Sequence, residues 1–166
     1  MPLAERLGEE DWVAFREVRL RSLLDSPDAF GSTYGEESSQ TERAWRDWAA
    51  GRWRGGAAAV FAGRDGAGSV VGTATGAELD AESGVAQLFA MWVALDARSA
   101  GVGRALADAV VAWARDRRCA RLVLSVTETN ESARRFYEVY GFVDTGERRA
   151  LRERSELHTL ILSMAL

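Results

Sequence analysis

A short loop between two apolar patterns carries residues that suit an anionic ligand. Gly101 and Gly103 open a helical pattern directly after a strand-like run, and Arg98 and Arg104 stand on either side of them. Unpaired amides at a helix start, together with the positive end of the helix dipole, bind anions, and glycine lets the backbone approach a phosphate closely. The same glycines also suit a turn that serves packing alone. The loop by itself therefore leaves two interpretations open, a phosphate site and a packing turn.

Two common nucleotide-binding motifs are excluded by the residues around this loop. A P-loop requires Gly-Lys-Ser/Thr after its glycines, and that pattern is absent. A dinucleotide fingerprint requires a third glycine and an acidic residue about 20 positions further on. This chain has Leu106 and Arg121 at those places.

The elements that position the loop are predicted from apolar periodicity and turn residues. Strands are predicted at residues 3–7, 57–63, 69–79, 85–95, 122–126, 142–151 and 156–165. Helices are predicted at residues 9–24, 39–50, 102–117 and 133–140. Hairpins followed by a strand–helix–strand crossover indicate an α/β (α+β) fold with a mixed, mostly antiparallel sheet of about seven strands and about four flanking helices. We expect one domain over residues 1–166, a length that can bury its own core.

Composition narrows the possible partners and cofactors. The net charge of −4 argues against general affinity for nucleic acid or an anionic membrane surface. A single cysteine, Cys119, and a single histidine, His158, exclude an internal disulfide and zinc sites built from several such residues. Cys119 has no histidine near it in sequence and is expected to be inert. Without a signal-peptide pattern or an apolar run of ~20 residues, a cytoplasmic protein is the default expectation.

The glycine loop is followed along the chain by two further motifs in a fixed order. Arg98-x-x-Gly101-x-Gly103 is followed by Asn130 and then by Phe136-Tyr137-Glu138-x-x-Gly141-Phe142. This arrangement resembles the GNAT superfamily of acyl-CoA-dependent N-acyltransferases, closely over residues 88–142. The resemblance implies a single GNAT-like domain in which two strands splay apart at the CoA site. It also implies acetyl-CoA as co-substrate, no metal, and a small-molecule or peptide amine as acceptor, in a monomer or homodimer.

The resemblance assigns the donor-binding residues one by one. They are Met91, Trp92, Val93, Arg98, Ser99, Ala100, Gly101, Val102, Gly103, Arg104 and Asn130. The backbone of 91–93 would bind pantetheine, with the Val93 amide polarising the acyl carbonyl, and the amides of 99–104 would hold the pyrophosphate. Tyr137 would protonate the departing thiolate, since a phenol with a pKa near 10 is protonated at neutral pH. Alternatively, the Tyr137 ring packs against other side chains of its own helix and has no role in proton transfer.

The acceptor side is less defined. Phe30 and Tyr34 lie in a turn-rich segment at 25–35, where large rings either plug the underside of the domain or wall a substrate pocket. Trp92 and Ser125 border the expected reaction centre. Ser125 stands where some members of the superfamily have a glutamate base, and a serine cannot take the amine proton usefully.

The sequence therefore does not identify the general base. Water and three carboxylates, Glu36, Glu37 and Glu128, are the candidates, and each carboxylate is expected to face solvent. The sequence as a whole indicates an N-acetyltransferase that works by direct attack in a ternary complex. The alternative is a non-catalytic acyl-CoA-binding or regulatory module of the same fold.

Overall fold

The predicted sheet contains eight strands in the computed structural model, which describes residues 3–80 and 82–166. The strands are β1 (Ala4–Arg6), β2 (Arg52–Trp53), β3 (Gly56–Arg64), β4 (Val70–Glu78), β5 (Val85–Val93), β6 (Arg121–Thr127), β7 (Val143–Ala150) and β8 (His158–Ala165). Their order is β1-β3-β4-β5-β6-β8-β7, and the two-residue β2 pairs with β3. All neighbours are antiparallel except β5 and β6, which run parallel. The predicted mixed, mostly antiparallel sheet is confirmed, and β2 is the strand beyond the seven predicted.

Five helices accompany the described strands, against the four predicted. They are α1 (Trp12–Asp25), α2 (Tyr34–Ser38), α3 (Glu42–Ala49), α4 (Val102–Asp116) and α5 (Glu131–Tyr140). The added helix, α2, begins inside the segment 25–35, where a turn is predicted. A capping box starts it: Thr33 Oγ1 accepts from the Glu36 amide (3.3 Å), and the Glu36 carboxylate accepts from the Thr33 amide (2.7 Å). This pattern satisfies two unpaired amides and outweighs the neighbouring turn residues.

The strand β4 is buried on both faces, because α4 packs on one face and α1 on the other. Small residues on the α4 side allow this close packing. A Cβ added to Gly76 would lie 2.8 Å from the Trp113 ring, and one added to Gly63 would lie 2.5 Å from Val102 Cγ1. The contact at Gly63 fixes the start of α4, and with it the loop that precedes that helix.

The strands β5 and β6 are paired over only three residues each. Pairing joins Val85–Gln87 to 121–123 and then ends. Beyond that point β5 carries a bulge, in which Ala90 and Met91 together face Ala74 of β4, and Ala90 has a φ of +51°. A bulge bends its strand and increases the local twist. The predicted splay of two strands is thus present, and it lies beside the glycine loop.

Aromatic rings connect α1 to α3 on the α1 side of the sheet. The Phe15 ring lies edge-on to Trp48 (centroids 4.8 Å apart) and to Trp45 (5.6 Å), and all three are buried. Edge-to-face ring pairs add to the stabilisation from burial alone. This cluster fixes the position of α1 relative to α3.

We expect Gly63→Ala to lower the free energy of unfolding by about 1–3 kcal/mol, because the added methyl group overlaps Val102. Gly66→Ala in the turn between β3 and β4 is the matched control, since none of the described atoms lies within 4 Å of its Cβ position. Urea unfolding of both variants measures the difference. Equal stabilities would contradict the tight packing of α4 on β3.

Candidate active site

Two cavities meet where β5 separates from β6. The first, here called the loop cavity, has a volume of about 450 Å³ and is lined by the end of β5, the 98–104 loop and α5. The second, here called the aromatic cavity, has a volume of about 330 Å³, and its lining includes the rings of Phe30, Trp48, Trp53 and Phe89. The residues that line both are Ala29, Met91, Asn130, Ala133 and Tyr137. These five mark the junction of the two cavities.

The glycine loop presents the unpaired amides that the sequence predicts. Gly101 caps α4 with a φ of +85°, a conformation that glycine adopts without steric cost. In the described structure, the first amide from residue 99 onward that donates to a backbone carbonyl is that of Ala105, to Gly101 (3.0 Å). The amides of residues 99–104 therefore remain available beside the loop cavity. Ala100 and Val102 do not line this cavity, and Val102 turns its side chain toward β3.

The end of β5 directs backbone groups into the gap between β5 and β6. The Ala94 amide donates to the Val71 carbonyl on the β4 side (2.8 Å). Backbone groups of successive strand residues alternate in direction, so the Val93 amide points the other way, toward the gap. Arg98 Nε donates to the Val93 carbonyl (3.0 Å) and so ties the loop to the strand end.

Trp92 lies on the loop-cavity side of the junction. Its ring is buried and lines the loop cavity but not the aromatic cavity. The indole Nε1 donates to Asp25 Oδ2 at the end of α1 (3.1 Å), and the Arg21 guanidinium lies 5.3 Å from the ring centroid. Hydrogen bonds from Ser26 and then from Trp92 hold the pKa of Asp25 below its usual value. This contact fixes the end of β5 to α1.

Asn130 and Tyr137 reach the junction from opposite ends of α5. Asn130 caps the helix, its Oδ1 accepting from the Ala133 amide (3.2 Å), which leaves its side-chain NH₂ free for another partner. Tyr137 is buried, with edge-on contacts to Phe136 (5.3 Å) and Phe142 (5.7 Å). Its hydroxyl has no hydrogen-bond partner in the described part of the chain, and burial raises its pKa well above the usual value.

The candidate acceptor residues divide between the site and the surface. Phe30 is buried and Ser125 is exposed, and both line the aromatic cavity. Tyr34, at the start of α2, is 41% exposed and lines neither cavity. The segment 25–35 therefore brings one of its two rings to the site.

The three candidate carboxylates also differ. Glu36 is exposed and occupied in the α2 capping box, and Glu128 is exposed and accepts from the His158 amide (3.1 Å). The expectation that Glu37 faces solvent is wrong. Glu37 is 2% exposed, and its two oxygens accept from Arg19 Nε (2.8 Å) and Nη2 (2.7 Å). Desolvation requires such a buried carboxylate to be paired, and Arg19 supplies the pair.

Arg19 lies in the candidate site but is not among the residues that the sequence predicts for it. It lines the aromatic cavity at 3% exposure, and its guanidinium carbon lies 4.4 Å from the Phe30 ring centroid. The third nitrogen, Nη1, is buried and has no hydrogen-bond partner in the described structure. Helical spacing alone places Arg19 beside the apolar stripe of α1. That position was the available signal for burial.

Other features of the described residues bear on the chemistry. No group of three or more His, Cys, Asp or Glu side chains within 3–80 and 82–166 could hold a metal ion. None of the helices in those residues is long and apolar enough to cross a membrane. Cys119 is buried outside both cavities, and burial raises the pKa of its thiol.

The open sheet, the separation of β5 from β6 and the glycine loop before α4 are typical of acetyltransferases of the GNAT fold. Residues 14–142 match the acetyltransferase (GNAT) family. The chain belongs to that family. No curated protein matches the sequence.

Solved structures agree with this fold over nearly the whole chain. An N-acetyltransferase from Kribbella flavida is 19% identical, with 98% of this chain and 96% of that chain covered and a TM-score of 0.75. The Salmonella typhimurium protein yncA, solved with its cofactor acetyl-CoA, is 17% identical over 98% and 92%, with a TM-score of 0.77. Nourseothricin acetyltransferase is 27% identical, but the match spans only 65% of each chain, with a TM-score of 0.61.

Breaking the buried pair by Arg19→Met is expected to lower the free energy of unfolding by about 3–5 kcal/mol, because Glu37 is left buried without a partner. Arg19→Met combined with Glu37→Met removes both charges, and we expect this double variant to be more stable than the single one. Urea unfolding in a double-mutant cycle measures the coupling. Additive losses would show that the pair is not coupled.

Proposed function

We propose that this protein transfers an acetyl group from acetyl-CoA to a primary amine, by direct attack of the amine within a ternary complex, and that residues 1–166 act as one domain. The observation that carries the proposal is the junction of the two cavities at Tyr137. One cavity offers the groups that a CoA ester needs, and the other offers a separate space for an acceptor. Both reactants can therefore be bound at once, as direct transfer requires.

The residues around the loop cavity suit a CoA thioester. The amides of residues 99–104, at the positive end of the α4 dipole, fit a pyrophosphate, and Arg98 and Arg104 line the same cavity. Backbone groups of β5 beyond Gln87 are no longer paired with β6, so they can bond pantetheine. Asn130 lines the same junction, and its side-chain NH₂ has no partner among the described residues. The bound thioester would supply an activated acetyl group.

Transfer needs a polarised carbonyl and a protonated leaving group. The amine nitrogen attacks the carbonyl carbon with its lone pair, and the carbon–sulfur bond breaks with the electron pair on sulfur. We assign the Val93 amide, which points into the gap, to hydrogen-bond the carbonyl oxygen as negative charge develops there. Tyr137 donates its hydroxyl proton to the thiolate.

The pKa of Tyr137 is compatible with that role. A phenol ordinarily titrates near 10, and burial raises the pKa of Tyr137 further, so the hydroxyl is protonated at neutral pH. Burial disfavours a thiolate for the same reason, so the pKa of a thiol leaving at this junction is raised as well. The two pKa values shift in the same direction, which limits the cost of the proton transfer.

The amine proton has no carboxylate base at the junction. Glu37 is the acidic residue that lines the aromatic cavity in the described chain, and both of its oxygens are engaged by Arg19. Ser125 cannot replace it. We infer that the amine binds as the free base, or loses its ammonium proton to water. After attack, the nitrogen loses its surplus proton to water, and a proton from water restores the Tyr137 hydroxyl. Cys119 lies outside both cavities, which speaks against an acyl-enzyme route.

Tyr137→Phe is expected to reduce turnover by ~10²-fold or more while acetyl-CoA binding is unchanged, because only the proton donor is removed. Tyr140→Phe is the matched control, since that hydroxyl donates to Asp108 (2.6 Å) and Tyr140 lines neither cavity. Thiol release over a panel of amines measures turnover, and a thermal shift with acetyl-CoA measures binding. Equal rates for wild type and Tyr137→Phe would remove Tyr137 from the mechanism.

The same panel tests the proposed reaction against a non-catalytic CoA-binding role. A thermal shift with acetyl-CoA but no thiol release with any amine would favour the non-catalytic module. The panel includes nourseothricin, because one structural relative is named for it. The absence of any shift at saturating acetyl-CoA would contradict both functions, since ligand at about 100 times its Kd stabilises by about 2.7 kcal/mol.

Gly103→Ala is expected to weaken acetyl-CoA binding without destabilising the fold. The added Cβ would make ordinary contacts with Phe136 (3.7 Å) and Met91 (3.8 Å), but it would occupy space in the loop cavity. Alanine is the better helix former by roughly 1 kcal/mol, so the melting temperature without ligand should not fall. The KM for acetyl-CoA measures the effect. An unchanged KM would contradict the placement of the pyrophosphate at this loop.

A further inference from the structure

The charged side chains of the aromatic cavity are mainly cationic. In the described structure its lining includes Arg19, Arg54 and Arg149, with Glu37 as the acidic member. Arg19 neutralises Glu37, and Arg149 is paired with Glu147 (2.6 Å) on the exposed side. Arg54 has no carboxylate within ion-pair distance among the described residues. A cavity with surplus positive charge attracts an anionic group and repels a polycation.

The Arg19 guanidinium is also a buried donor without an acceptor. Its Nε and Nη2 bind Glu37, while Nη1 is buried, unpartnered and part of a side chain that lines the cavity. Leaving a buried N–H unsatisfied costs about 1–3 kcal/mol. Nη1 is covered in this structure, so an anionic oxygen in the cavity would supply the missing acceptor after a small movement of the surrounding side chains. Phe30 and Glu37 hold the guanidinium in place, so this donor is preorganised.

The rest of the cavity wall is aromatic and partly accessible. Trp53 lies 4.1 Å from Trp48 and 5.4 Å from Phe89, measured between ring centroids. Trp53 and Phe89 are only half-buried, so part of each ring is accessible to a ligand, and the Arg54 guanidinium lies 5.3 Å from the Trp53 ring centroid. The volume of about 330 Å³ is near the lower end of the range for small-molecule sites. An apolar or aromatic group of modest size therefore fits beside the arginines.

We propose that the acceptor is a small amino acid-like molecule, with a primary amine, a carboxylate, and an apolar or aromatic side group. The amine lies at the junction near Tyr137, the carboxylate bonds Arg19 Nη1 and Arg54, and the side group packs on Trp53 and Phe89. This assignment rests on the proposed acetyl transfer and adds the class of the acceptor to it.

Matched pairs of amines with and without the carboxylate test the class directly. L-phenylalanine is compared with phenethylamine, L-leucine with 3-methylbutylamine, and spermidine represents the polycations. We expect kcat/KM for each carboxylated amine to exceed that of its partner by about tenfold or more, since a hydrogen bond to a charged group contributes about 1.5–3 kcal/mol. Spermidine should be the poorest acceptor. Equal or higher kcat/KM for the amines without a carboxylate, or for spermidine, would overturn the assignment.

Three arginine variants locate the carboxylate subsite. Arg54→Gln and Arg19→Lys, which keeps a cation for Glu37 but removes Nη1, should each reduce the preference for the carboxylated partner by about tenfold. Arg46→Gln is the matched control, because Arg46 stacks on Trp12 (5.2 Å) as Arg54 stacks on Trp53 (5.3 Å), but Arg46 lines neither cavity. It should leave the preference unchanged. A preference that survives both Arg54→Gln and Arg19→Lys would overturn the subsite.

The possible outcomes test the acceptor class separately from the proposed acetyl transfer. Transfer to phenethylamine or spermidine in preference to phenylalanine supports acetyl transfer and overturns the acceptor class. Transfer to none of the amines overturns both. Thermal unfolding of Arg19→Lys checks that the variant is folded. If it is not, Arg54→Gln alone decides, because Arg54 is exposed and outside the core.

Discussion

The separation of β5 from β6 is the constraint on which the rest of this structure depends. In a continuous sheet the edges of these strands would bond each other, and there would be no space between them. Here pairing stops after Gln87, and the bulge at Ala90 bends β5 away. Backbone groups that lose their partner are costly unless something else satisfies them. The gap therefore provides space for a ligand, and the unpaired backbone groups along it can form hydrogen bonds with that ligand.

Side chains hold the gap open from both sides. On the β5 side, Trp92 is bonded to Asp25 and Arg98 is bonded to the Val93 carbonyl. On the β6 side, Thr127 Oγ1 donates to the Asp28 carbonyl (2.6 Å), and Arg152 Nη1 donates to the Phe30 carbonyl (2.8 Å). The end of α1 is thus bonded to β5, and the segment after α1 is bonded to β6 and to the turn between β7 and β8. Each strand is stabilised by contacts with α1 and its following segment in place of contacts with the other strand.

The grouping of the predicted donor residues around the loop cavity could be expected from the sequence, because their signals are local. Gly101 has a positive φ that favours glycine, and Asn130 and Tyr137 belong to one short helix with its own cap. The strand, loop and helix that carry them follow each other in sequence with short connections. The splay itself was predicted from the resemblance, since no pattern within β5 alone indicates where its pairing with β6 ends.

The acceptor half could not be predicted to the same extent, because it is assembled from distant parts of the chain. Arg19 and Glu37 are 18 residues apart on separate helices, and their pairing depends on how α2 packs against α1. The helix α2 was itself missed, since its capping box is a weaker signal than the turn residues around it. Without α2, Glu37 is naturally expected to face solvent.

The absence of a free carboxylate among the described residues of the candidate site is related to the positive charge of the aromatic cavity. Ser125 leaves the junction without a carboxylate base, and Arg19 occupies the one carboxylate, Glu37, that the described aromatic cavity contains. A cavity that retained a free carboxylate would attract the protonated amine and bind it in its unreactive form. A cationic cavity disfavours the ammonium form and lowers the pKa of a bound amine. In the proposed transfer, the surplus of arginine would therefore replace part of the function of a base, because it would favour the neutral form of the amine.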